Sequence, residues 1–281
     1  MATSISVHTL SSGIDLPSIG FGSYRLSGRE ETAKVVADAI STGYRLIDTA
    51  ACYQNEDGIG DAVRTCGIPR EKLLITSKVW NTDRGYDKTM AAFENSLKLL
   101  GIGYLDLYLI HWPANALYSQ NWESVNRSTW SALIELYKKQ KVRAIGVSNF
   151  KPKHLAALMT MDVQPMVNQI EFHPGFLQKE TLEYCCKHGI VVEGWAPFGN
   201  GALLREPLLV EIAKKYSCST AQVCLGWAVQ HGVIPLPKSS HIERMKQNLL
   251  PCKLEDEDVL RLDGLPSCGG SCYDSDAVNF I

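Results

Sequence analysis

Four residues able to handle protons stand at or just past the ends of apolar runs along the chain. Asp48 ends Tyr44-Arg-Leu-Ile-Asp48, with Tyr53 five residues on. Lys78 ends Leu73-Leu-Ile-Thr-Ser-Lys78, and His111 ends Leu105-Asp-Leu-Tyr-Leu-Ile-His111. A tyrosine with a lysine, a carboxylate and a histidine around it is a proton-donating set, and a cofactor must supply the other half of the chemistry. Taken singly, Lys78 also suits a Schiff-base enzyme, Asp48 a turn cap, and His111 or Tyr53 the core. Their joint occurrence at successive strand ends is what points to a site. Further on, Lys238 and Arg244 stand six apart across the end of Val233-Ile-Pro-Leu-Pro237, where both can meet one phosphate.

These positions require elements to carry them. Residues 5–10 and 14–19 read as a hairpin around Ser11-Ser-Gly13. Strands are then expected over 19–22, 44–48, 73–78, 105–111, 142–147, 166–170, 190–195 and 233–237. Apolar residues at helical spacing alternate with them, around 33–40 and 59–63 and then over 89–100, 129–139, 151–159, 179–187, 206–216, 220–230 and 242–249. A further helix over 256–262 precedes a Gly/Ser-rich tail. The strand runs are apolar throughout, as parallel strands buried on both faces should be. Eight strand–helix units argue for α/β with a parallel sheet. A doubly wound sheet is the rival, but Gly20-Phe-Gly22 lacks the third glycine of the dinucleotide fingerprint, so a closed barrel is preferred. In a barrel all the strand ends that carry these residues open on one face.

Composition narrows the function classes. The chain has 281 residues, 45% hydrophobic and 21% charged, enough for a sizeable core, and its net charge of −2 favours neither nucleic acid nor an anionic membrane as partner. Met1 to His8 has no basic stretch leading into an apolar one, and no apolar run nears the roughly 20 residues of a span, so a cytoplasmic protein is expected. Nine cysteines, with Cys185 and Cys186 adjacent, make no disulfide framework. Cys218 and Cys224 read as small core residues on one helix. Cys268-Gly-Gly-Ser-Cys272 lacks zinc or thioredoxin spacing and reads as a flexible, reduced tail, and no metal site is expected.

The segments Gly43-Tyr-Arg-Leu-Ile-Asp48-Thr49-Ala50, Leu109-Ile-His-Trp-Pro113, Gly146-Val-Ser-Asn-Phe150, Met166-Val-Asn-Gln-Ile-Glu171 and Pro237-Lys-Ser239 occur in this order. With them the chain resembles the aldo-keto reductases nearly end to end. It is similar above all to the short microbial and protist members, the prostaglandin F synthase-like and 2,5-diketogluconate reductase-like enzymes. The resemblance implies a single domain over 1–281: a (β/α)8 TIM barrel with an N-terminal hairpin and a C-terminal extra helix and tail. It implies NADPH-dependent reduction of aldehydes and ketones to alcohols, with transfer of the pro-R hydride. Tyr53 would be the general acid, Lys78 would lower its pKa, Asp48 would hold Lys78, and His111 would place a ring nitrogen on the carbonyl oxygen.

For the cofactor, the resemblance implies Gly22, Ser23 and Asp48. It adds Ser148, Asn149 and Gln169 at the carboxamide, Trp195 stacked on the nicotinamide, and Pro197, Phe198 and Gly199 beyond it. Lys238, Ser239, Ser240 and Arg244 would take the 2′-phosphate, and Gln247 and Asn248 would face the adenine. Tyr24, Trp80, His111 and Trp112, with Tyr118 or Trp122, would line an aromatic substrate pocket. A long loop over 117–127 and a mobile tail over 268–281 would select the substrate. Three departures stand out: Gln247 where glutamate is commoner, Ala196 and Phe198 for serine and leucine, and Tyr24 for tryptophan. A monomer is expected. The alternative is a redox-sensing regulatory subunit of the same fold, like the potassium-channel β-subunits.

Overall fold

The computed structural model describes residues 7–113, 120–267, 270, 271, 273–278 and 280. The hairpin is β1 (Val7–Thr9) against β2 (Asp15–Pro17), antiparallel with His8 opposite Leu16. Leu10, Ile14 and Leu16 are buried in the main core, so the hairpin covers the end from which the strands start.

The strand–helix alternation then runs as expected. Its elements are β3 (Phe21–Gly22), α1 (Arg29–Thr42), β4 (Leu46–Asp48), α2 (Glu56–Thr65), β5 (Leu74–Val79), α3 (Tyr86–Leu100), β6 (Leu105–Ile110) and α4 (Trp122–Lys138). It continues with β7 (Val142–Ser148), α5 (Pro152–Leu158), β8 (Val167–Glu171), α6 (Lys179–Lys187) and β9 (Val191–Trp195). The last elements are α7 (Pro207–Lys215), α8 (Thr220–Gln230), β10 (Val233–Pro235), α9 (Ile242–Asn248) and α10 (Asp256–Asp263).

Strands β3 to β10 lie side by side in chain order, all parallel. Two backbone bonds bring the first against the last, Gly20 N to Pro235 O and Gly22 N to Pro237 O, both 3.1 Å, and the sheet becomes a ring. Glycine is required at that seam. A Cβ on Gly20 would lie 2.5 Å from Leu236 Cδ2, and one on Gly22 would lie 2.9 Å from Leu236 O. All six residues of β6 are buried, which accounts for its apolar run, and the one carboxylate in it, Asp106, is paired with Arg70 (2.7 Å) and Arg143 (2.8 Å).

Three expectations are corrected. Helix α4 starts at Trp122, so the second half of the expected 117–127 loop is helical, while 114–119, including Tyr118, lie outside the described residues. The early start has a cause. Arg84 bonds Asn126 Oδ1, Thr129 Oγ1 and Trp112 O, and the Trp122 ring packs edge-on against His154 at 4.9 Å. Trp122 therefore does not line the pocket. Cys218 precedes α8, whose N-cap is Ser219 with a reciprocal Gln222 bond, and only Cys224 is a buried helical residue. No helix of the described residues is long and apolar enough to cross a membrane.

Candidate active site

The four proton-handling residues converge at the strand ends. Asp48 is the last residue of β4, Lys78 the penultimate residue of β5, and His111 the first after β6; Tyr53 ends a single 3-10 turn, Ala51–Tyr53, that follows β4. That turn is pinned. Thr49 Oγ1 donates to Asn55 Oδ1 (2.6 Å), and Asn55 Nδ2 donates to the backbone oxygens of Ser23 (3.0 Å) and Leu26 (3.3 Å). The loop after β3 is thereby fixed to the loop after β4, and Tyr24 meets Tyr53 with ring centroids 5.1 Å apart.

Beneath them lies an ion pair shut from water. Lys78 Nζ donates to Asp48 Oδ1 (2.6 Å), Asp48 Oδ2 (2.8 Å) and Thr49 O (2.9 Å), with side-chain exposures of 0% for Lys78 and 6% for Asp48. The three ammonium hydrogens are all used. Lys78 meets Tyr53 only across the ring face, 5.2 Å from the centroid. Lys78 therefore gives the Tyr53 oxygen no hydrogen bond, and the net shift of the phenol runs opposite to the expected lowering. Burial, reinforced by Asp48, Cys52 and Tyr24, holds the phenol well above the ordinary tyrosine range. Tyr53 is thereby held as the protonated phenol.

His111 is tuned oppositely. Burial, with the Lys78 and Arg84 cations nearby, holds it well below 6.5, so the ring is neutral at physiological pH. Its Nδ1 lies 3.6 Å from Cys52 Sγ. Burial outweighs Lys78 and pushes the Cys52 thiol up to about 12, so this is an S–H beside a ring nitrogen. An Nδ1 that accepts from this thiol leaves the ring hydrogen on Nε2, and an Nδ1 that donates to the sulfur leaves Nε2 an acceptor. Trp80 stands edge-on to the imidazole, ring centroids 5.0 Å apart.

These side chains open into a cavity of about 610 Å³. Its walls include Gly22, Tyr24, Asp48, Tyr53, Trp80, His111, Trp112, Ser148, Asn149, Gln169, Trp195, Pro197, Phe198 and Lys238 from the expected set. Residues 18–266 match the sequence model of the aldo/keto reductase family. This chain belongs to that family. A glyoxal reductase of Bacillus subtilis is 46% identical, covering 91% of each chain. The 9,11-endoperoxide prostaglandin H2 reductase of Trypanosoma cruzi is 45% identical over 92% of this chain and 90% of its own. Among solved structures, a mutant of Gox0644 in complex with NADPH superposes with a TM-score of 0.88 at 36% identity, covering 98% of each chain.

Other expected residues of this aldo/keto reductase fall into two groups. At the inner end, Ser148 Oγ donates to Gln169 O (2.7 Å), Asn149 Nδ2 to His111 O (3.0 Å) and Ser148 Oγ (3.1 Å), and Trp195 Nε1 to Asn149 Oδ1 (2.9 Å). Gln169 Nε2 donates to Asp48 Oδ1 and to Glu193 Oε2, both 2.8 Å. At the outer end, Lys238, Ser240, Arg244 and Gln247 are exposed, and no ion pair engages Lys238 or Arg244 among the described residues. Ser239, Ser23 and Gly199 are buried behind the cavity wall. Asn248 is turned inward, to the phenol of Tyr44.

Sequence reasoning missed Arg25, Cys52, Asn200, Gly201, Leu236, Tyr273 and Phe280, which also line the cavity, as does Ala196. The last two correct the mobile tail. Cys268 and Cys272 lie outside the described residues, but the described tail is docked. Ser271 donates its N–H and Oγ–H to the two oxygens of buried Glu171, both at 2.7 Å, while Asn81 Nδ2 holds Phe280 O at 3.1 Å. Asp274 pairs with Lys151, and Asp276 with Lys151 (2.9 Å) and Lys153 (2.8 Å). Gly270 makes the approach possible, since a Cβ there would lie 2.4 Å from His173 Nε2 and 2.5 Å from Glu171 Oε1. Tyr273 and Phe280 then close on Trp112, ring centroids 6.2 and 5.5 Å away.

Proposed function

We propose that this aldo/keto reductase reduces aldehydes and ketones to alcohols with NADPH. The observation that carries the reading is one cavity with a protonated phenol, a neutral imidazole and a buried lysine–aspartate pair converging at its inner end. Lys238 lines the same cavity, with Arg244 in the first turn of α9. The donor set fits the coenzyme: two cations without ion partners among the described residues for a 2′-phosphate, and the Ser148, Asn149 and Gln169 side chains for a carboxamide. NADPH, when bound, supplies the hydride.

The protein supplies everything else. His111 Nε2–H donates to the carbonyl oxygen and fixes its place. Tyr53 Oη then gives its proton to that oxygen as negative charge develops there, and the two donors together stabilise it. The phenolate left behind is stabilised through the ring by the Lys78 charge, and Asp48 keeps that ammonium in position. Trp80, Trp112, Tyr273 and Phe280 exclude water and favour an apolar, aromatic carbonyl.

The test is loss of NADPH absorbance with aromatic aldehydes, dicarbonyls, keto-sugars and quinones, repeated with NADH. NADPH-preferring turnover is the expected result. Tyr53→Phe should lower it by about 10²–10⁴-fold with NADPH binding unchanged. Tight NADPH binding without turnover of any carbonyl would favour the redox-sensing subunit instead.

A further inference from the structure

The side chain of Gln169 is held between two carboxyl groups. Its Nε2 carries two hydrogens, and Asp48 Oδ1 and Glu193 Oε2 take them at 2.8 Å each. The reverse orientation is excluded chemically. A carbonyl oxygen in that place would face the carboxylate of the Lys78–Asp48 pair with no hydrogen between them. The one polar atom Gln169 has left is its Oε1, an acceptor, on a residue that lines the cavity. No donor among the described residues engages it.

Glu193 is a costly residue to keep there. It sits in β9 with none of its surface exposed, and its Oε1 has no partner among the described residues. Such a group weakens a fold unless something else is gained. Burial, with Asp48 nearby, pushes its carboxyl up to about 7, and in either ionisation state it keeps an oxygen able to accept from Gln169. A glutamate inside an otherwise apolar strand has this one hydrogen-bond partner, and the partner is a wall of the cavity.

We propose that Glu193 is a positioning residue for the coenzyme. With Asp48 it holds both hydrogens of the Gln169 amide, so Gln169 offers the pocket an acceptor alone. The site then selects a nicotinamide, whose carboxamide brings an N–H, over a ring whose substituent has none. This rests on the NADPH reading above.

The experiment is a fluorescence titration with NADP+ and with its 3-acetylpyridine analogue, which carries a methyl ketone in place of the carboxamide. The wild-type protein should bind NADP+ more tightly by about tenfold, the worth of one good hydrogen bond against an unmatched acceptor. Glu193→Met leaves the Gln169 amide on its single bond to Asp48, so it can pivot there and present its second N–H to the ketone oxygen of the analogue; the ratio should collapse toward one, with a melting point no lower than wild type. Glu193→Gln retains an accepting oxygen and should retain the preference. A Met variant that keeps the wild-type ratio overturns the proposal. So does a wild-type protein that binds both dinucleotides equally, whether or not any variant folds. A wild-type protein that binds neither overturns the NADPH reading itself.

Discussion

Replacing Asp48 by alanine should damage stability and activity through the same pair of atoms, and the two losses can be separated. Lys78 is fully enclosed and three acceptors hold its ammonium, two of them on Asp48. Removing the carboxylate leaves a buried cation with one carbonyl and also strips one acceptor from Gln169. Breaking a buried pair from one side costs about 3–5 kcal/mol. For a chain of this size a melting point moves by roughly 2–4 °C per kcal/mol, so Asp48→Ala should melt about 6–20 °C below wild type. The double variant Asp48→Ala/Lys78→Met removes both charges and should recover most of that loss, because a buried pair exchanged for apolar groups is often near neutral. Neither variant should turn over substrate. Urea and thermal unfolding of these three proteins and of Lys78→Met complete a double-mutant cycle, with steady-state turnover measured beside it. If Asp48→Ala unfolds within about 1 kcal/mol of wild type, or the double variant is no more stable than the single, the pair is not the buried element described here.

Other perturbations reach the rest of the site. Lys238→Met and Arg244→Met should each weaken NADPH binding by about 10–100-fold, the worth of a charged hydrogen bond, and leave NADH binding nearly unchanged; equal losses for both would remove the 2′-phosphate assignment. Gly270→Ala should undock the tail, since its Cβ has no room and the backbone there has φ +71°. The readout is faster proteolysis near the C-terminus and a raised KM for substrate at unchanged NADPH affinity. His111 and His154, the latter held to about 4, are both depressed by burial. Between pH 6.5 and about 4 these two imidazoles bind protons in the unfolded chain and not in the folded one, while Glu193, raised to about 7, offsets one of them above 4.5; stability should therefore fall across that window by less than two imidazoles alone would give. Melting points flat from pH 7 to 5 would count against buried neutral imidazoles.

The strand ends were legible in the sequence because burial on both faces leaves unbroken apolar runs, and an ionisable residue closing such a run has few structural reasons to be there. Asp48, Lys78 and His111 stand out for that reason, and the structure unites them. Tyr53 was legible as a participant but not in its tuning. Which acceptors use up the three hydrogens of Lys78 is a matter of geometry, and Thr49 O is silent in the sequence. Glu193 was hidden inside Ile190-Val-Val-Glu-Gly-Trp195, where one carboxyl among apolar neighbours does not disturb the strand pattern. The tail was the least legible. Its docking depends on Glu171, Lys151 and Asn81, each 100 or more residues away in sequence, and its Gly270, Tyr273 and Phe280 follow no period.

The glycine seam between β3 and β10 has a consequence for how the barrel is made. Every other neighbour pair in the ring is consecutive in the chain, whereas the seam joins strands separated by more than 200 residues and is formed by two bonds beyond the strand ladders. Loop closure over that distance is costly before the contacts form, so this joint should be the last to zip in folding and the first to open. The amide hydrogens of Gly20 and Gly22 are its reporters, and Lys238 lies one residue beyond its last acceptor, Pro237. A dinucleotide gripped by Lys238 and by Gly22 from opposite sides would act as a clasp on the seam. Slowed exchange of those two amides on saturation with NADPH would mark the coenzyme as the final fastener of the barrel as well as its reagent.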